Sequence, residues 1–180
     1  MNQSDSPDRL ALIRESQRGN LQAQDALIRL YQGRLAAFIY AMTGKSSLVE
    51  DLVQAIFIKM IMKLSSLREI ERFEPWLFRL ARNAYMDHYR HERIRNFFIP
   101  VNDDHYEVAA PQPKPPAQLE ELAQALQKLA PAQRELLVLL QENDWSYEEL
   151  AEMTGGTVSS VKSRLFRART ELKRLLHHES

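Results

Sequence analysis

Apolar residues recur at three- and four-residue spacing along most of this chain, the period of helices that bury one face. Leu27, Leu30, Tyr31, Leu35, Phe38 and Met42 keep that spacing between Asn20, a side chain suited to cap a helix start, and Gly44, suited to end one. A shorter helix over 8–18 precedes this one. Ser47-Leu-Val-Glu50 has the spacing of a capping box and predicts a helix over 48–64. Residues 65–72 lack a strong apolar period and read as a loop. Glu74-Pro75 then predicts a helix start, with proline at the tolerated first position and an end near residue 96. Further along, the pattern predicts helices over 119–129, 130–141, 146–153 and 158–176. Pro131 falls in a first turn, and Ser146-Tyr-Glu-Glu149 is a second capping box. Gly155-Gly156 separates the last two helices. A short helix, a glycine turn and a longer basic helix form the helix-turn-helix pattern.

Five of the eight prolines lie between Pro100 and Pro116, beside Asp103, Asp104 and Glu107. Proline removes backbone donors and turns its predecessor away from helix, so this stretch reads as a linker. The expected architecture is therefore all-α. Two small helical modules, 1–96 and 118–180, are joined by a flexible, Pro-rich, acidic linker over 97–117, and the second module is a helix-turn-helix domain.

Composition narrows the chemistry. The 180 residues are 44% hydrophobic, enough to bury a core, and include no cysteine, which excludes disulfide frameworks, zinc fingers and thiol catalysis. No apolar run approaches the roughly 18 residues of a membrane span, and the polar start resembles no signal peptide, so a cytoplasmic location is expected. The net charge of +0 conceals an uneven distribution. Residues 1–64 carry 8 basic and 6 acidic side chains, and residues 65–100 carry 7 and 5. Residues 101–156 reverse the balance with 3 and 11, and residues 157–180 restore it with 6 and 2. Two basic segments thus flank an acidic middle.

The basic segments carry the candidate chemistry. Along 157–172, Val158, Val161, Leu165, Ala168 and Leu172 mark a core face, and the opposite face presents Lys162, Ser163, Phe166, Arg167 and Arg169. Such a helix fits the major groove, where Arg and Lys reach guanine edges or phosphates and an aromatic ring can meet a thymine methyl. The helix after Pro75 holds five arginines over residues 79–95, interleaved with Tyr85, His88, Tyr89 and His91. Arginines with aromatic rings suit single-stranded nucleic acid, although Trp76, Leu77, Leu80 and Ala84 read as core and Tyr85 fits either role. Asp87, His88 and His91 read as a solvated face rather than a metal site. No nucleophile turn or phosphate loop is visible, so neither an enzyme nor a cofactor is expected.

Four patches, in order, resemble the extracytoplasmic-function (ECF) family of bacterial RNA polymerase sigma factors: Arg18-Gly-Asn with 26–31, Asp51-Leu-Val-Gln-Ala-Ile-Phe57, Phe73-Glu-Pro-Trp-Leu-Phe-Arg-Leu-Ala-Arg-Asn83, and 145–169. The resemblance implies a non-enzymatic subunit that binds core polymerase and directs it to promoters, with no cofactor and no small-molecule substrate. It implies a clamp-helix contact through Asp51 and Gln54. It implies −10 strand contacts through Leu67, Arg68, Arg79, Arg82 and Asn83, and −35 duplex contacts through Lys162, Ser163, Phe166 and Arg167. It further implies an anti-sigma partner, which in the family is often membrane-tethered. The chain departs from the family pattern at Ala55, where an acidic residue is usual, at Gly156-Thr157, at Leu140-Gln141 and in the acidic 65–72 loop. The competing readings are a stand-alone helix-turn-helix regulator, which gives no reason for the 51–57 patch or the 73–95 helix, and a helical adaptor for acidic proteins, which would show no salt-sensitive DNA affinity.

Overall fold

The computed structural model describes residues 7–98 and 117–178, so nearly all of the expected linker over 97–117 lies outside the described residues. Eight α-helices follow in order: α1 (Pro7–Gln17), α2 (Leu21–Thr43), α3 (Val49–Lys63), α4 (Phe73–Phe98), α5 (Ala117–Lys128), α6 (Pro131–Glu142), α7 (Tyr147–Thr154) and α8 (Val158–His178). Among the described residues there is no strand, as the helical periodicity requires.

The caps define most boundaries. Asn20 Oδ1 accepts hydrogen bonds from the Gln22 and Ala23 amides at 3.0 and 3.2 Å, which starts α2. Gly44 takes a left-handed φ of 68° and its N–H donates to the Tyr40 carbonyl at 2.7 Å, ending the same helix. At α7 the capping box forms in full: Ser146 Oγ accepts from the Glu149 amide, and Glu149 Oε2 accepts from the Ser146 amide at 2.8 Å.

Three local expectations need correction. Ser47 and Glu50 make no capping box, because Ser46–Leu48 winds as a 3₁₀ turn and leaves Leu48 at the cap of α3. Half-buried Leu48 and Val49 hold that turn inward, and Glu50 and Asp51 supply negative charge to the helix N-terminus instead. The 65–72 segment contains two more 3₁₀ turns, Leu64–Ser66 and Ile70–Arg72, anchored by the buried side chains of Leu64 and Ile70. The Gln17 amide donates to the carbonyls of Leu64 and Leu67 at 3.0 and 2.7 Å, tying the segment to α1. Finally, α4 begins at Phe73, so Pro75 is its third residue, still within the turn whose amides have no helical acceptor.

Helices α1–α4 enclose a core that includes Leu27, Tyr31, Leu35, Phe38, Ile56, Met60, Leu77 and Phe78. In the second half, Leu136, Leu139, Leu150, Val161 and Leu165 are buried where α6, α7 and α8 meet. The two halves also pack on each other, α2 against α5 and α6, and α4 against α7. Trp145, in the α6–α7 turn, is buried with its ring 5.7 Å from that of Phe78. Arg134 on α6 donates to the Met42 carbonyl at the end of α2 and to the carbonyls of Leu126, Gln127 and Leu129 around the end of α5. Gln127 adds a hydrogen bond to the Ala41 carbonyl at 2.9 Å. Side chains of the second half thus satisfy carbonyls that helix geometry leaves open at the end of α2.

A buried carboxylate completes the union. Glu74 Oε1 accepts from Arg9 at 2.5 Å, Tyr31 at 2.8 Å and Arg34 at 3.1 Å, and Glu74 Oε2 accepts from Asn143 at 3.1 Å. Burial, followed by the adjacent Glu74 charge, pushes the Tyr31 phenol far above its ordinary range, so the hydroxyl stays a donor. Glu74→Ala removes the shared acceptor and strands the buried Arg9 guanidinium; it is expected to cost about 3–5 kcal/mol of stability. The urea unfolding midpoint of the full chain measures this directly.

Candidate nucleic-acid interface

The −35 candidates fall on α8, where Val161, Leu165 and Ala168 are buried and Lys162, Ser163, Phe166, Arg167 and Arg169 are exposed. Thr157 and Ser160 exchange side-chain-to-amide hydrogen bonds of 3.2 and 3.0 Å at the helix start, a reciprocal cap. Gly155, at φ 68°, ends α7 and makes the turn between the two helices. Phe166 is 72% exposed, which nothing in the fold requires. Lys162 Nζ lies 5.3 Å from the centre of the Tyr147 ring, and Arg167 Nε donates to the Ser163 carbonyl at 3.3 Å. Arg164 differs from these neighbours: it turns back to Ser160 and the buried Thr154, so its role is structural.

The clamp candidates lie on α3. Asp51 is exposed in its first turn, and Gln54 borders a groove of about 590 Å³ between α2 and α3. Ile28, Ala36, Val53, Phe57, Ile58 and Ile61 make that groove apolar. Gly33 on α2 also lines it, and a side-chain carbon there would meet nothing within 4 Å.

The −10 candidates separate. Leu67 is half-buried against the core and Arg68 is exposed. Arg79, Arg82 and Asn83 lie together on α4, and Arg82 donates to Asn83 Oδ1 at 3.3 Å. The two arginines meet carboxylates of the second half. Arg79 Nη1 is 3.4 Å from Glu152 Oε1, Arg72 binds Glu152 Oε2, and Arg82 Nε is 2.5 Å from Glu135 Oε1. Burial pushes the Glu135 carboxyl above its usual range, and Arg82 draws it back down. Sequence reasoning missed Arg72, Glu135 and Glu152. The signal was available in the opposed charges of the segments 65–100 and 101–156, but such a balance does not say which residues meet. Tyr85, left open between core and base platform, is buried.

Comparison with known proteins fits this geometry. The sequence profile described as Sigma-70 region 2 matches residues 27–94, and that described as Sigma-70, region 4 matches residues 119–172. The chain is 34% identical over 158 residues to the RNA polymerase sigma factor CarQ of Myxococcus xanthus, covering 86% of this chain and 91% of that relative. It is 34% identical over 145 residues to the ECF RNA polymerase sigma factor EcfG of Rhodopseudomonas palustris, covering 79% of each. Among solved structures, CnrH in complex with the cytosolic domain of CnrY superposes with a TM-score of 0.72 at 27% identity, covering 95% of this chain and 98% of that one. The sigma factor RpoE in complex with the anti-sigma factor NepR from Bartonella quintana gives 0.68 at 29% identity, covering 85% and 96%. The chain belongs to the ECF family of RNA polymerase sigma factors. Members of that family are transcription regulators, and no described helix here is long and apolar enough to cross a membrane.

The Glu135–Arg82 pair makes a pH-dependent prediction. Arg82→Ala removes the charge that draws the Glu135 carboxyl down, so its folded pKa rises further above the unfolded value. The contribution of such a group is fully present below the unfolded pKa and is lost as pH rises through the folded one. The Arg82→Ala protein should therefore lose stability relative to the parent as pH is raised from about 4 to about 8. Thermal unfolding across that range checks the slope.

Proposed function

We propose that this sigma factor grips the polymerase clamp helices through the α2–α3 groove and its rim at Asp51 and Gln54, and reads −35 duplex through α8. The region 2 module spans 1–96 and the region 4 module 118–180. Arg79, Arg82 and Asn83 hold the −10 strand, with Leu67 and Arg68 at the loop that receives a flipped base. The work is binding rather than catalysis, and it takes place in the cytoplasm. The observation that carries the reading is the pairing of an exposed Lys162, Ser163, Phe166 and Arg167 face on a capped helix-turn-helix with an apolar groove on α2–α3. A stand-alone regulator needs the first and leaves the second unexplained. Purified protein with bacterial core polymerase should start transcripts at a defined site that neither component selects alone; transcription unchanged by the added protein would overturn the reading.

An anti-sigma factor as a further partner is supported by the two solved relatives, each in complex with one or with a cytosolic domain of its partner.

Two substitutions separate the surfaces. Asp51→Arg places positive charge in the first turn of α3 at a cost of about 0.3–1 kcal/mol, so the protein stays folded but fails to assemble with core polymerase in a pull-down. On α8, Lys162 and Arg167 are assigned to base edges and Arg169 to phosphate. Arg167→Ala should change preference among −35 duplexes by about 1–3 kcal/mol, whereas Arg169→Ala should weaken all of them alike and lower the salt slope by about one unit. Titrations of the full chain against a duplex panel at several salt concentrations distinguish the two.

A further inference from the structure

Two glycines in succession, Gly155 and Gly156, join α7 to α8, and a glycine pair leaves a turn conformationally permissive. Gly155 is explained by its backbone, since at φ 68° it ends α7 in the left-handed region. Gly156 takes no left-handed φ, so the reason for glycine there is space. A side-chain carbon at Gly156 would stand 2.5 Å from a guanidinium nitrogen of Arg164 and 2.6 Å from Ser160 Oγ. The room beside Gly156 is thus taken by Arg164, which reaches back from the second turn of α8. Its Nη2 donates to Thr154 Oγ1 and to Ser160 Oγ at 3.3 Å each, and its Nε donates to the Ser160 carbonyl at 3.3 Å. Thr154 is the buried last residue of α7, and its own hydroxyl donates to the Leu150 carbonyl at 2.7 Å. Ser160 belongs to the reciprocal cap with Thr157. One guanidinium fork therefore bonds the end of α7 and the start of α8 across the glycine turn.

We propose that Arg164 is a positioning residue for −35 reading: seated over Gly156, it fixes the angle between α7 and α8 at which Lys162 and Arg167 meet base edges. The proposal rests on the reading of α8 as the duplex-binding helix. In a helix-turn-helix the first helix crosses the DNA backbone while the second enters the major groove, so the angle between them decides which side chains reach the bases. Arg164 is half-buried, three residues from buried Val161 and four from buried Ala168, whereas Lys162, Ser163 and Arg167 are exposed. It acts through those exposed residues and touches no DNA itself. Phosphate contacts carry no sequence information and tolerate a small tilt, whereas bidentate base contacts are planar and directional. A loosened turn therefore loses discrimination before it loses affinity.

The test is a fluorescence-anisotropy titration of the full chain against a panel of labelled duplexes that differ only within the −35 element, at several salt concentrations. Arg164→Ala should lower the ratio of best to worst affinity about tenfold and leave the salt slope unchanged, because no phosphate contact is lost. Arg164→Lys keeps the charge but lacks the fork that spans Thr154 and Ser160, so it should not restore the ratio. Gly156→Ala keeps the arginine and places a methyl group where its guanidinium sits. It should lower the ratio as Arg164→Ala does, and the two changes together should lose no more than either alone. The clash in Gly156→Ala falls on side-chain ends at a position that needs no left-handed φ, so this variant stays folded should Arg164→Ala not. A ratio retained by either alanine variant overturns the positioning role. So does a uniform weakening of every duplex by Arg164→Ala with a salt slope lower by about one unit, the mark of a phosphate contact. If the parent binds all duplexes alike and Arg167→Ala changes nothing, the assignment of α8 as reader is itself wrong, an outcome separate from failure of the positioning.

Discussion

The Glu74 carboxylate ties the first half of the chain to the turn between α6 and α7. It is buried at the start of α4, yet it serves α1 through Arg9, α2 through Tyr31 and Arg34, and the α6–α7 turn through Asn143. A lone carboxylate could not stay charged there at acceptable cost. Two guanidinium groups and two neutral donors make the site tolerable, and in return they fix where three helices and one turn must lie. Trp145 follows two residues after Asn143, so satisfying Glu74 also seats the indole against Phe78. Arg134 then closes the far end of the interface on the carbonyls of α2 and α5.

That arrangement divides the functional surfaces into two kinds. The exposed face of α8, proposed to read duplex, and the α2–α3 groove, proposed to grip polymerase, lie outside the contacts between the two halves. The arginine face of α4 points into those contacts and is matched by carboxylates. One buried apolar cluster runs through both halves, and the arginine–carboxylate pairs Arg34–Glu142, Arg72–Glu152, Arg79–Glu152 and Arg82–Glu135 join them across its margin.

Much of each module was legible because helix signals are local. Asn20, Gly44, Ser146 and Gly155 mark their boundaries by side-chain chemistry that acts within a few residues, and the structure uses each as expected. The α8 face followed from periodicity alone, since Val161, Leu165 and Ala168 must be buried together. Ser47 and Glu50 misled because a capping box also needs the chain to enter the helix at the right residue, and apolar Leu48 and Val49 set a different entry. The contacts between modules were not legible. Arg82 and Glu135 are 53 residues apart in sequence and Arg79 and Glu152 are 73 apart, across a proline-rich stretch that hides which faces meet. Arg134 carried no signal at all, since an arginine on an amphipathic helix ordinarily reads as solvated.

The two halves pack as one body, α2 on α5 and α6 and α4 on α7, and on the proposed function they part when core polymerase and promoter are bound. The sequence contains no cysteine, so Gln22→Cys on α2 and Lys173→Cys on α8 give two unique and exposed labelling sites, one in each module. Pulsed dipolar spectroscopy between spin labels at those sites reads the separation of the modules. One narrow distance in the free chain, replaced by a longer one when core polymerase and promoter DNA are added, is the predicted result. A broad distribution in the free chain that polymerase and promoter leave unchanged would contradict the account.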